Sequence, residues 1–212
     1  MGHIKNYQQE PPKDGLLEFS VFGKPVSFQS SRSHKERIKR KIQKIVAPIQ
    51  YALSGDVEFE IQWIVPEKYR YESDSSPDVD NIIKPTLDAL VGPQGIMIDD
   101  CQVKSVKCFW EDWERPQQQV NIKIIFDNDH WLRMEGLKFI HVEGGLCFPF
   151  PVGIPEDSVG AYVQLVKTAV KAKSKMELNL EDYYRVRLIL PLQRFYHRSR
   201  LRKFEVVDIA DF

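Results

Sequence analysis

Five aspartates and one lysine crowd into the stretch 76–102, SPDVDNIIKPTLDALVGPQGIMIDDCQ: Asp78, Asp80, Asp88, Asp99 and Asp100, with Lys84 among them. Carboxylates at this density repel one another, so a fold that gathers them needs a cation or a charged partner. The local pattern supplies a geometry. Asp78 and Asp80 are an i, i+2 pair, which an extended segment points to one side. Ile83, Leu87 and Leu90 then mark the buried face of a helix, while Asp80, Lys84 and Asp88 recur every four residues on a second face. After a Gly-Pro-Gln-Gly turn, Ile96-Met97-Ile98 predicts a short buried strand that delivers Asp99 and Asp100 at its end. Neighbours on a strand point oppositely, so only one of those two is expected to face the cluster. Pro85 has no amide to donate, so the helix is expected to begin late enough for Pro85 to lie in its first turn.

Charge elsewhere is segregated, although 30 basic and 30 acidic residues cancel over the chain. Arg32, Lys35, Arg37, Lys39, Arg40, Lys41 and Lys44 are opposed in their segment by Glu36 alone. Arg194, Arg198, Arg200, Arg202 and Lys203 form another acid-free cluster, interleaved with Phe195, Tyr196 and His197. Basic stretches flanking an acidic site suit a polyanion held by cations, and the interleaved aromatics suit stacking. Either run alone is better read as solvated surface.

In chain order, residues 1–15 are expected to be a flexible leader. Leu17, Phe19 and Val21 alternate as a first strand ending at Gly23-Lys24-Pro25. Ser33 is expected to cap a helix from His34, with Glu36 completing a capping box, and Pro48 to break its apolar stripe. Val57 to Val65 alternate as the clearest half-buried strand, and further strands are expected at 103–110 and 120–126. The expected architecture is α+β: a mixed sheet with two main helices in a β-α-β-α-β-β core over 16–128. Residues 129–212 are expected to be an α/β extension or small second domain. In it, an irregular linker-like segment around Gly144 to Pro155 precedes a helix carrying Val159, Val163, Val166 and Val170, then a strand at Tyr184 to Leu190.

A hydrophobic content of 42% with 11% aromatics excludes global disorder. The absence of an eighteen-residue apolar run and the polar first residues argue against a membrane span or signal peptide. Cys101, Cys108 and Cys147 lack CxxC spacing, which favours a reducing compartment over a disulfide framework, so a cytoplasmic location is expected, nucleoid-associated when the chain acts on DNA.

Hard divalent cations bind carboxylate oxygens and keep several waters, so two or three aspartates and a substrate phosphate complete their shell. Phosphodiester hydrolysis needs an activated water and a stabilised leaving oxygen, and Lys84 stands one turn along the helix to meet a phosphate. The same residues carry a resemblance. PDVDNIIKPTLDAL followed by GIMIDDCQV resembles the signature of the RusA-type Holliday junction resolvases, with Asp78, Asp80, Asn81, Lys84, Asp88, Leu90, Asp99, Asp100 and Gln102 at its fixed positions. The resemblance spans roughly 16–126.

The resemblance implies a magnesium-dependent endonuclease (manganese a possible substitute) that acts as a homodimer on four-way or other branched DNA. It implies Asp78, Asp80 and Asp100 as metal ligands and Lys84 as catalytic lysine. Asn81, Asp88 and Asp99 are then expected to support them, and Arg32, Lys35, Arg37, Lys39, Arg40 and Lys41 to contact DNA. Two other readings stand beside it: a non-catalytic module binding branched DNA or a protein, and a metal-dependent nuclease acting on RNA or other DNA structures. Residues 129–212 exceed the minimal family size and are a possible seat for a protein partner.

Overall fold

In a computed structural model, the chain is described from residue 9 onward, except positions 25, 27–29, 75, 115–116, 151–152, 178, 190–192, 202 and 212 and the side chains of 187–189. Most of the expected leader, Pro25, part of the 27–33 loop and Arg202 therefore lie outside the described residues. The chain divides into two compact units, Met1–Met134 and Glu135–Phe212. Helices and mixed sheets together make it α+β.

In the first unit, β1 (Leu16–Phe22) is followed by α1 (Arg32–Val46), β2 (Tyr51–Leu53) and β3 (Val57–Val65). Then come α2 (Glu67–Tyr71), α3 (Val79–Asp88), a 3-10 turn (Asp100–Gln102), β4 (Val103–Asp112), β5 (Gln119–Phe126) and β6 (Trp131–Arg133). The main sheet has the order β1-β5-β3-β4. β5 is antiparallel to β1 and β3, whereas β3 and β4 run parallel. Parallel neighbours need a crossover, and here the connection carries α3 and the whole acidic stretch. The period-2 alternation sends Leu17, Phe19, Phe59, Ile61, Trp63, Val120, Ile122 and Ile124 into one core. Ile38, Ile42 and Val46 of α1 and Ile82 and Leu87 of α3 bury against the same core. The other sheet face is polar, laced by exposed cross-strand pairs such as Lys107–Glu60 (3.5 Å) and Lys123–Glu18 (3.7 Å).

Several local expectations change. α1 starts at Arg32, two residues early, because Ser31 rather than Ser33 is the N-cap and accepts from the His34 amide. The helix stops at Val46, just before Pro48, so Leu53 belongs to β2. The Ile96-Met97-Ile98 segment is buried, but it makes only single bridges from Met97 to Leu53 and Val91 and is no strand. Too few residues lie between two turns to extend a ladder.

In the second unit, β7 (Lys138–Glu143) and β8 (Leu146–Phe150) form a hairpin where a linker was expected. Gly144 and Gly145 both adopt positive φ (56° and 81°), the backbone a tight hairpin turn needs. α4 (Glu156–Met176) buries Val163, Val166, Ala169 and Val170. α5 (Leu180–Ile189) replaces the expected strand at 184–190. Its start is acidic, Asn179 accepts from the Asp182 amide, and Arg185 pairs with Glu181 one turn back, all of which favour helix. β9 (Tyr196–His197) and β10 (Glu205–Asp208) complete a sheet of order β10-β7-β8-β9. Among the described residues, no helix is long and apolar enough to cross a membrane.

Candidate active site

The helix α3 begins within the acidic run. Asp78 is its N-cap residue, in extended conformation (φ −72°, ψ 155°), yet its carboxylate makes no capping hydrogen bond. Asp80 lies inside the first turn, so the pair does not share the extended segment expected for it. Asn81 also lies in that turn, half-buried, with its amide donating to the Asp78 carbonyl at 3.1 Å. The buried residues of the helix are Ile82, Thr86 and Leu87, one position round from the expected Ile83 stripe, and Leu90 is buried just beyond its end.

Pro85 falls in the second turn, not the first. It offers no amide to the Asn81 carbonyl, so the ladder lacks one rung two residues before Leu87. Thr86 adds a local link, its hydroxyl donating to the Ile82 carbonyl at 2.9 Å.

Lys84 projects from the exposed face of α3 and holds two carboxylates at once. It pairs with Asp88 one turn ahead (3.0 Å) and reaches across to Asp100 in the 3-10 turn. The hydrogen bond that Lys84 donates to Asp100 is the largest influence on its ammonium; burial opposes it, and the weaker contribution of the bond to Asp88 adds to it, so the lysine is held above its usual range. Lys84 is about half exposed and Asp100 about one-third. Asp88, expected only to support the site, is thus a direct partner of the lysine. Lys84 turns toward Asp88 and Asp100 rather than back to Asp80, with which it makes no ion pair among the described residues. Asp99 points its carboxylate into the turn, accepting from the Cys101 amide at 3.0 Å, which leaves Asp100 as the aspartate facing α3.

The oxygen donors of Asp78, Asp80 and Asp100 are of the kind a hard divalent cation takes. As the side chains stand, however, no group of three acidic, imidazole or thiol side chains among the described residues is gathered closely enough to hold one ion. The residue types fit such a cation; the three aspartates are not drawn together.

Sequence reasoning assigned no role to Gln102, although it fills a fixed position of the signature. It is 2% exposed and lies at the end of the turn that carries Asp100. A glutamine directly after so polar a run carries no periodic signal of burial, so only the fold reveals it.

Five residues of the basic run share one face of α1. Arg32, Arg37, Arg40, Lys41 and Lys44 line an open groove of about 820 Å³, with Glu36 the single acid. Lys35 and Lys39 are half-buried and do not line it. The first turn has no acidic residue, so its cations stand against the positive end of the helix dipole. His34 records the field: burial first, then Arg37, Lys24 and Lys41, hold its imidazole below the ordinary histidine value. The second basic cluster is different. Phe195 packs on Phe148 (5.0 Å) and Tyr196 on Phe139 (6.0 Å), so these two aromatics pack within the second unit, while His197 is exposed.

Residues 23–125 match the family model described as Endodeoxyribonuclease RusA. That span runs from the end of β1 to the penultimate residue of β5 and includes Asp78, Asp80, Lys84, Asp88 and Asp100. No curated protein matches the chain.

Proposed function

Residues 23–125 belong to the RusA endodeoxyribonuclease family, and from that premise we propose that this protein hydrolyses phosphodiester bonds at Holliday junctions or related branched DNA. The observation that carries the reading is Lys84, held between Asp88 and Asp100 on the helix whose start carries Asp78 and Asp80. In this reading Asp78, Asp80 and Asp100 take a magnesium ion, with manganese as substitute. Such an ion, when bound, supplies charge neutralisation and an activated water.

The chain's own residues do the remaining work. The backbone amides at the start of α3 favour an anion there. Lys84 exchanges one carboxylate partner for the scissile phosphate and steadies the charge that develops on it. Asp88 keeps the lysine in place, and Asp99 shapes the turn that carries Asp100. The cationic groove of α1 tracks the DNA backbone through its phosphates, which position the duplex without revealing its sequence. The enzyme acts as a homodimer that cuts two strands.

The test is cleavage of synthetic four-way junctions, with linear, flapped and RNA controls, in magnesium or manganese. Paired, divalent-dependent cuts at the branch support the reading. Undiminished cleavage by Asp80→Asn would remove that residue from the site. One observation favours a second reading, a non-catalytic branched-DNA binder: the three aspartates are not gathered. Tight junction binding without divalent ions, and no cleavage of any substrate in the panel, selects it.

A further inference from the structure

The 3-10 turn that carries Asp100 is fastened by one side chain. Gln102 is 2% exposed, and all four of its hydrogen-bonding groups are used. Its Oε1 accepts from the amides of Ile98 (2.8 Å) and Asp99 (3.0 Å). Its Nε2 donates to the carbonyls of Leu53 and Gly55, both at 2.8 Å. The first two bonds close the turn on itself, and the last two tie it to β2 and the bend that follows. Asp99 reciprocates, its carbonyl accepting from the Gln102 amide (3.2 Å) and its carboxylate from the Cys101 amide. Asp100 therefore sits on a turn that is closed on itself and tied to β2, which pairs with β6.

An apolar side chain of similar length would fill the volume but remove the Gln102 bonds of two amides and two carbonyls, all of them buried except the half-buried Asp99 amide. The glutamine thus specifies one arrangement of the turn rather than merely occupying space. Gly55 has its own reason to be small, since a Cβ there would meet the His130 Cβ at 2.7 Å. The carbonyls that anchor Gln102 are consequently fixed by packing remote from the acidic residues.

We propose that Gln102 is a positioning residue for the hydrolytic reaction: it locks the 98–102 turn to β2 so that the Asp100 carboxylate is presented to Lys84 and the start of α3. The inference rests on the role of Asp100 in the proposed hydrolysis. A residue that acts in this way is expected to affect turnover more than substrate binding.

The experiment compares the full-length protein with Gln102→Met and with Leu17→Ala, a core truncation in β1 that lowers stability away from the turn. Melting curves give the folded fraction of each. Turnover per folded molecule should fall about 10–100-fold in Gln102→Met, the loss typical when a residue supporting a metal ligand is removed. KM for junction DNA should stay within about threefold. Leu17→Ala should lose activity only in proportion to its unfolded fraction. The Asp100 carboxyl-carbon resonance, which senses the pairing with Lys84 without any need for cleavage, should move in Gln102→Met and not in Leu17→Ala.

Turnover per folded Gln102→Met molecule equal to that of the unaltered protein overturns the inference, whatever the resonance does. If the unaltered protein cleaves no DNA, the functional reading fails and the resonance alone decides whether Gln102 positions Asp100: a shift supports it and no shift overturns it. Should Gln102→Met not fold, Gln102→Glu carries the same comparison with the same expected effects, because its carboxylate still accepts from the two amides but cannot donate to the two carbonyls.

Discussion

Two helices of the first unit bury their apolar stripes in one core and treat charge in opposite ways. α3 carries a single lysine, and two carboxylates hold it. α1 carries a row of cations, and among the described residues no ion pair joins Arg32, Arg37, Arg40 or Lys44 to a carboxylate. The sheet follows the first pattern: Lys104, Lys107 and Lys123 each pair with a cross-strand glutamate. The fold therefore has the means to neutralise its cations and, among the described residues, does not use them on these four of α1. An unneutralised row of like charges is costly in isolation and favourable once a polyanion lies against it. A paired lysine is instead kept in position for local chemistry.

The largest effect expected from this contrast lies on α3. Asp80→Asn should lower turnover on four-way junctions by more than the ~10–100-fold cost of removing a residue that merely supports a metal ligand. Single-turnover cleavage at saturating protein measures it. Lys84→Met should come next, with turnover reduced about 10²–10³-fold, the usual cost of removing one preorganised donor. DNA affinity without divalent ions should hardly change. A parallel drop in affinity in Lys84→Met would break the comparison, because it would make the α3 lysine a general DNA-binding cation like those of α1.

On α1 the expected signature is salt dependence rather than turnover. In Arg37→Ala/Arg40→Ala/Lys44→Ala, the slope of log affinity against log salt should shrink by roughly one for each phosphate that the helix no longer neutralises. Turnover at saturating DNA should be retained. Fluorescence anisotropy across a salt series distinguishes this from a slope that does not change, which would reduce the row to solvated surface.

The smallest effects concern stability. Ser31→Ala removes the N-cap of α1 and should cost about 0.5–2 kcal/mol, read from denaturant unfolding. His34 gives a pH dependence with a defined sign. Its folded pKa lies below the ordinary value of 6.5, so as pH falls from that value toward the folded pKa the unfolded chain takes up the proton first. Stability should accordingly decline over that window and level off below the folded pKa. His34→Gln should remove this component, and DNA laid along α1 should raise the His34 pKa in an NMR titration.

Much of the first unit was legible in the sequence. β1, β3 and β5 alternate because one sheet face is core and the other solvent, the condition under which period-2 patterning is strongest, whereas β4 at the sheet edge buries none of its residues fully. The start of α1 was not, because Ser31 and Ser33 are chemically equivalent caps and only the local backbone selects one. Pro85 likewise stands one turn further into α3 than its chemistry favours, since the helix begins at Val79 within the acidic run. The glycines at Gly144-Gly145 suggested a linker and form a hairpin, since paired glycines mark a tight turn and a loose connection alike. α5 stands where a strand was expected at 184–190, because end effects and the Glu181–Arg185 pair favour a helix.

By itself the sequence determined the chemistry available to this protein. It set the density and order of carboxylates, the one lysine among them and the cationic run set apart from them, because composition and spacing are properties of the chain. Which carboxylates meet that lysine was decided only in three dimensions. Asp88 is reached through the helical repeat, but Asp100 meets Lys84 only because the crossover between parallel strands returns it beside α3. Gln102 fastens the turn to carbonyls 47 and 49 residues away in the chain. Bonds of that range depend on sheet order and register, which no local pattern encodes.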